Sequence, residues 1–197
     1  MLWLTNNEIK DISPFIKANF PKLETLILSN NSISNIDCIQ NFNFQNLKVL
    51  SLDTNKINDI SILEKVNFNK LEKFGLNNNN IRDISVFEKV NFPELKEIYL
   101  YENQISDISV FTKVNFNKLQ LISLNNNKII DISCLEFVQL NELQKLYLND
   151  NKINNISSLE RIKFQPLELY LEGNKIDRLN NSSLINLLKM KIRTFQI

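Results

Sequence analysis

The chain has 197 residues, of which 43% are hydrophobic, and its 23 basic and 22 acidic residues leave a formal net charge of +1. Length and composition supply a core for one domain of ordinary size, and the near-zero charge removes the long-range field that draws proteins to nucleic acid or anionic membrane. With no histidine and two isolated cysteines, the commonest general base and the usual zinc ligand sets are missing, so no catalytic residue, metal or cofactor is expected.

The chain opens on MLWLTNNEIKDIS, which has neither a basic n-region nor a sustained apolar h-region, and no stretch is long and apolar enough to span a membrane. A cytoplasmic protein is the expectation. Leu2 and Leu4 already alternate as in a strand, and the outward-facing Trp3, Ile27 and Val49 make this end apolar. Such a start is expected of a fragment of a longer protein, or of an end covered by a partner or a second copy.

From here the sequence repeats. Asparagines stand at Asn7, Asn31, Asn55, Asn79, Asn103, Asn127 and Asn151, spaced by 24, and then at Asn174, spaced by 23. Leucine precedes each by three residues, an apolar residue precedes each by five, and isoleucine follows each by two. The L-x-L alternation predicts a short strand with its leucines turned inward. Copies stack into a parallel sheet, and the Asn side chain, both donor and acceptor, satisfies backbone groups at the bend and in the next turn. A ladder of eight asparagines thus stitches the turns together.

After each bend the sequence signals a helix start. Ser61 with Glu64, Ser85 with Glu88, Ser133 with Glu136 and Ser157 with Glu160 read as capping boxes, and Ser13-Pro14 puts proline at the first helical position. The short helical segments are predicted to bury Phe15, Ile39, Leu63, Phe87, Phe111, Leu135 and Leu159, and the following V-N-F stretches to turn Val66 and Phe68, or Val90 and Phe92, inward. The Asp residues at 11, 59, 83, 107 and 131, beside lysines at 17, 65, 89 and 113, read as solvated edge charge. No single unit buries enough surface to fold alone, so stability belongs to the stack. Cys38 and Cys134, four units apart, lie roughly 19 Å from each other at the strand spacing and cannot form a disulfide.

Near the end, FQPLELYLEGN is one residue short, NNSSLINLLKM predicts a longer helix capped by Asn181 or Ser182, and IRTFQI predicts a ninth strand through Ile192, Phe195 and Ile197.

The unit L-x-x-L-x-L-x-x-N-x-I-x-D-I-S-x-F-E-K-V-N-F-x-K, as in LEKFGLNNNNIRDISVFEKVNFPE at 71–94, fits eight times. It resembles the leucine-rich repeat proteins, in particular the SDS22-like and internalin-like classes that share N-x-I-x-D-I, with units longer than is usual for them. The resemblance implies an α/β fold, a right-handed solenoid with a concave parallel β-sheet and short helical segments on its convex side. It forms one domain over 1–197, with 180–197 an atypical C-terminal helix and strand. It also implies a non-catalytic scaffold that binds a partner protein: a phosphatase-regulatory subunit on the SDS22-like side, or a surface adhesin or effector on the internalin-like side. The repeat region of a larger enzyme is a further alternative.

The outward positions of the strands are free of core duty, and all four tyrosines of the chain fall there: Tyr99, Tyr101, Tyr147 and Tyr170. With Glu97, Glu102, Asp150 and Glu172 beside them, they form the composition of a protein-binding patch. Acids outnumber bases on and around this face, so the expected partner is a protein with a basic or amphipathic surface rather than nucleic acid or membrane. The chain itself is expected to be monomeric or weakly associated end to end.

Overall fold

Each L-x-L stretch becomes a strand of two or three residues whose central side chain is turned into the core. The computed structural model describes residues 1–162 and 168–197. Among these lie β1 (Leu2–Trp3), β2 (Thr25–Ile27), β3 (Val49–Ser51), β4 (Lys73–Gly75), β5 (Glu97–Tyr99), β6 (Leu121–Ser123), β7 (Lys145–Tyr147), β8 (Glu168–Tyr170) and β9 (Thr194–Gln196). They form one sheet, all parallel, in chain order. The fold is a leucine-rich repeat solenoid with an open parallel sheet.

The sequence period sets the register. Leu26, Leu50, Phe74, Ile98, Ile122, Leu146 and Leu169 sit opposite one another from strand to strand, and all are buried. A one-residue slip would turn this row out to solvent, so the register is strongly specified. The short unit lies before β8, whose Leu169 still pairs with Leu146; the backbone of residues 163–167, where the missing residue falls, lies outside the described residues. Ninth-strand pairing is as expected, with Phe195 opposite Leu169.

Behind the sheet, Phe44, Phe68, Phe92 and Phe116 are buried one per turn, as are Val66 and Val90. Rings of successive turns meet, Phe68 and Phe92 stacking with centroids 6.4 Å apart. The asparagine ladder forms as the side-chain chemistry requires. Asn103 Nδ2 donates to the carbonyls of Leu76 (2.9 Å) and Leu100 (3.1 Å), and its Oδ1 accepts the Ile81 N–H (3.0 Å). The same cross-turn bonds recur at Asn31, Asn55, Asn79, Asn127, Asn151 and Asn174. Asn7, at the sheet edge, is exposed and bonds to its own bend at Leu4 and Thr5.

The residue before each ladder asparagine takes the left-handed conformation: Asn6, Asn30, Thr54, Asn78, Glu102, Asn126, Asp150 and Gly173. Asparagine, aspartate and glycine tolerate it; threonine and glutamate do so at a cost.

The second half of the unit departs from expectation in three ways. Its helical segments are single 3-10 turns of four or five residues, such as Ser61–Lys65 and Ser85–Glu88, because the unit leaves no room for more. The capping boxes do not form: an isoleucine occupies the cap position and the serine is the first helical residue. The aspartate two residues earlier does that work, Asp59, Asp83, Asp107 and Asp131 each accepting the backbone N–H of Ser61, Ser85, Ser109 or Ser133 at 2.7–2.8 Å. The aspartates are therefore turn-forming groups rather than idle edge charge. Phe15 is half-buried rather than buried, since β1 ends the stack on that side; Ile39, Leu63, Phe87, Phe111, Leu135 and Leu159 are buried.

At the far end, α1 (Ser182–Lys191) buries Ile185 and Leu188 over the last turn. Asn181 is its cap residue but makes no side-chain cap bond; its Nδ2 donates to the Asp177 carbonyl at 2.7 Å instead. None of the described helices is long and apolar enough to cross a membrane. Cys38 and Cys134 are both free thiols and partly buried.

Candidate protein-binding face

Alternation along each strand leaves one row of side chains pointing away from the core. From β3 to β8 that row runs Ser51, Gly75, Tyr99, Ser123, Tyr147, Tyr170. Tyr147 and Tyr170 stack, with ring centroids 4.8 Å apart and planes 16° apart. Tyr99 stands two strands away across the small Ser123, about 10 Å at the strand spacing. Three of the four predicted tyrosines are thus brought into one line. Tyr101 lies two residues beyond Tyr99 and is the most open of the four, 36% exposed, its N–H held by Asn77 Oδ1 at 3.0 Å.

Two of the tyrosines are fixed by neighbouring carboxylates. Tyr99 donates its phenol proton to Glu97 at 2.6 Å, and burial together with that carboxylate pushes its ionisation well above the usual range. Tyr170 reaches Glu168 at 3.5 Å, and burial and Glu168 raise its pKa too. Oriented rings lose little freedom on contact, which favours them as anchors.

The predicted acids divide into two kinds. Glu97 is committed: besides Tyr99 it holds Lys73 of the neighbouring strand at 2.9 Å. Likewise Lys48 pairs with Glu24 (3.1 Å), Lys96 with Glu72 (2.7 Å) and Lys145 with Glu168 (3.4 Å). The four lysines on and beside the face are therefore neutralised locally. Glu102, Asp150 and Glu172 are exposed, and among the described residues none has a cationic side chain within 4.0 Å. Glu102 and Asp150 are also the left-handed bend residues of their units.

The sequence reading missed the arrangement around Asp53. Its carboxylate accepts the Asn77 N–H at 2.8 Å and the Ser51 hydroxyl, and lies over Gly75. The available signal was Gly75 itself, one of two glycines in the chain and the middle of a buried sheet, where glycine marks close approach by another group.

The comparisons agree with this geometry. The model described as "Leucine rich repeat" matches residues 93–153, and that described as "Leucine Rich repeats (2 copies)" matches residues 1–41, 21–65 and 69–113. No curated protein matches in sequence. Among solved structures, the internalin inlF of Listeria monocytogenes is 27% identical with a TM-score of 0.73, over 94% of this chain and 51% of that one. The internalin C2 of the same bacterium is 24% identical with a TM-score of 0.73, over 89% of this chain and 72% of that one, a likeness of fold alone. TLR13, solved as a complex with the RNA ssRNA13, is 28% identical with a TM-score of 0.68, over 87% of this chain and 24% of that one. The chain spans about half the length of the internalin inlF. With family models matching over most of its length, the chain belongs to the leucine-rich repeat family, whose members serve typically as interaction scaffolds.

Proposed function

We propose that this chain is a non-catalytic scaffold that binds another protein on the outward face of its sheet, through Tyr99, Tyr101, Tyr147 and Tyr170. The observation that carries the reading is the tyrosine row: the chain's whole tyrosine complement lies on one face, partly exposed, with Tyr99 and Tyr170 held by carboxylates and Tyr147 stacked on Tyr170. Aromatic groups presented this way supply contact area at low entropic cost and dominate protein interfaces. Glu102, Asp150 and Glu172 favour a partner with a basic or amphipathic surface. That charge argues against RNA, despite the likeness to TLR13, because an RNA backbone would meet carboxylates without lysines free to receive it. Of the two roles implied by the repeat consensus, the identity with the internalin inlF favours a surface adhesin or effector over a phosphatase-regulatory subunit.

A photo-crosslinking residue placed at Ser123, between Tyr99 and Tyr147, tests this reading. In cells that make the protein it captures a discrete partner protein, whereas the same residue at the exposed Ile130 does not. Capture from Ile130 and none from Ser123 moves the binding surface off the sheet.

A further inference from the structure

In the row that follows the strands, Asp53 and Asn77 differ in charge but perform the same task. Asn77 Oδ1 accepts the N–H of Tyr101 in the next turn at 3.0 Å, and Asp53 Oδ1 accepts the N–H of Asn77 at 2.8 Å. A neutral amide performs this task at 77, so the negative charge at 53 is surplus to the fold. That charge is not cancelled nearby. Glu24, Glu72, Glu97 and Glu168 each hold a lysine, whereas no cationic side chain lies within 4.0 Å of Asp53 among the described residues.

The carboxylate is also aimed. Its second oxygen accepts the Ser51 hydroxyl, which in turn lies 2.6 Å from the Ser29 hydroxyl, so both oxygens are tied down. It occupies the space above Gly75 that a side chain would fill, since a Cβ there would stand 2.5 Å from Oδ2. The next residue in the row beyond Gly75 is Tyr99, whose ring is held by the bond from its hydroxyl to Glu97. A fixed, half-buried carboxylate without a cationic partner among the described residues thus lies over Gly75, one strand from Tyr99.

We propose that the Asp53 carboxylate, lying over Gly75 one strand from Tyr99, receives a cationic side chain of the protein partner, an arginine or lysine that pairs with Asp53 beside the Tyr99 ring. The pairing is charge-assisted and the ring attracts the cation by its negative face. Because the carboxylate is already oriented, little freedom is lost on binding. This inference rests on the reading of the sheet face as the docking surface and adds the chemistry of its anchor.

Selection of a displayed library of random short peptides against the full chain tests it. Binders that depend on the tyrosine row are taken as those lost with Tyr147→Ala/Tyr170→Ala. Among them, an arginine or lysine whose replacement by glutamine weakens binding about tenfold is expected, and Asp53→Asn is expected to weaken the parent peptide equally. The two changes combined cost no more than either alone. Asn at this position of the unit is native at 77, 125 and 149, so Asp53→Asn keeps the fold, and the peptide substitution reads the same contact on the unaltered protein. Tyrosine-dependent binders indifferent to Asp53→Asn overturn the anchor and leave the docking face standing. Binders indifferent to both the tyrosines and Asp53, or no binders, overturn the anchor and remove support from the face.

Discussion

Asn103 reaches across the stack to the carbonyl of Leu76 in the preceding turn, 2.9 Å away, while its own side-chain oxygen takes the Ile81 N–H. One side chain therefore closes hydrogen bonds in two turns, in a buried position where water cannot replace it. Asn103→Ala leaves these backbone groups unpaired and is expected to destabilise the protein by about 3 kcal/mol or more. Asn7→Ala, at the exposed edge, is expected to cost under about 1 kcal/mol. Urea unfolding midpoints separate the two, and equal costs would contradict the ladder as a cross-turn device.

Thr54 sits at φ 53° in a position that the other turns fill with Asn, Asp, Gly or, at 102, Glu. A β-branched side chain is strained there. Thr54→Asn is expected to stabilise the protein by about 1 kcal/mol, read as a rise in melting temperature, whereas Asn78→Thr lowers it.

The 3-10 turns are started by aspartate, or by Asn35 and Asn155 in two turns, rather than by serine. Asp83→Ala removes the acceptor of the Ser85 N–H and is expected to cost about 1 kcal/mol, while Ser85→Ala costs a few tenths. The same bonds give an acid dependence. Hydrogen bonds from Ser13 and Ser61 hold Asp11 and Asp59 below the usual carboxylate range. Since the folded value is the lower one, their contribution is present at neutral pH and is lost as pH falls through it. Stability should therefore decline on acidification below about pH 4, and a melting curve series from neutral to acid pH checks the sign.

Burial, with Asp131 and Asp107 nearby, pushes the Cys134 thiol up to about 11 from an ordinary 9.0. Its folded value is the higher one, so the neutral thiol favours the fold below pH 9.0 and that contribution is lost as pH rises toward 11. Alkylation by iodoacetamide, followed by mass spectrometry, is expected to keep accelerating at Cys134 beyond the pH at which a free thiol levels off.

The strands and the ladder were legible because their signals are periodic: the same leucines and asparagines recur at a fixed spacing, and burial follows from phase alone. The 3-10 turn starts were misread because D-I-S-x-x-E carries two capping signals at once. Serine with glutamate matches the capping box, but only the aspartate is placed to receive the serine N–H once the isoleucine between them is buried. The pairing of Glu97 was not legible because its lysine, Lys73, is a neighbour across the sheet and not along the chain. Asp53 was hidden for the same reason, its partner Asn77 lying one full turn away. The tyrosine face was legible in sequence because it needs only the inward-outward alternation of a strand.

The central claim is that this tyrosine row binds a protein. Affinity capture with the wild-type chain and with Tyr99→Ala/Tyr147→Ala, from cells that make the protein, tests it most directly, with circular dichroism and melting run on both proteins. The expected result is a partner retained by the wild type and lost by the variant, whose fold and melting are unchanged to within a few degrees. Equal retention by the two proteins would contradict the account.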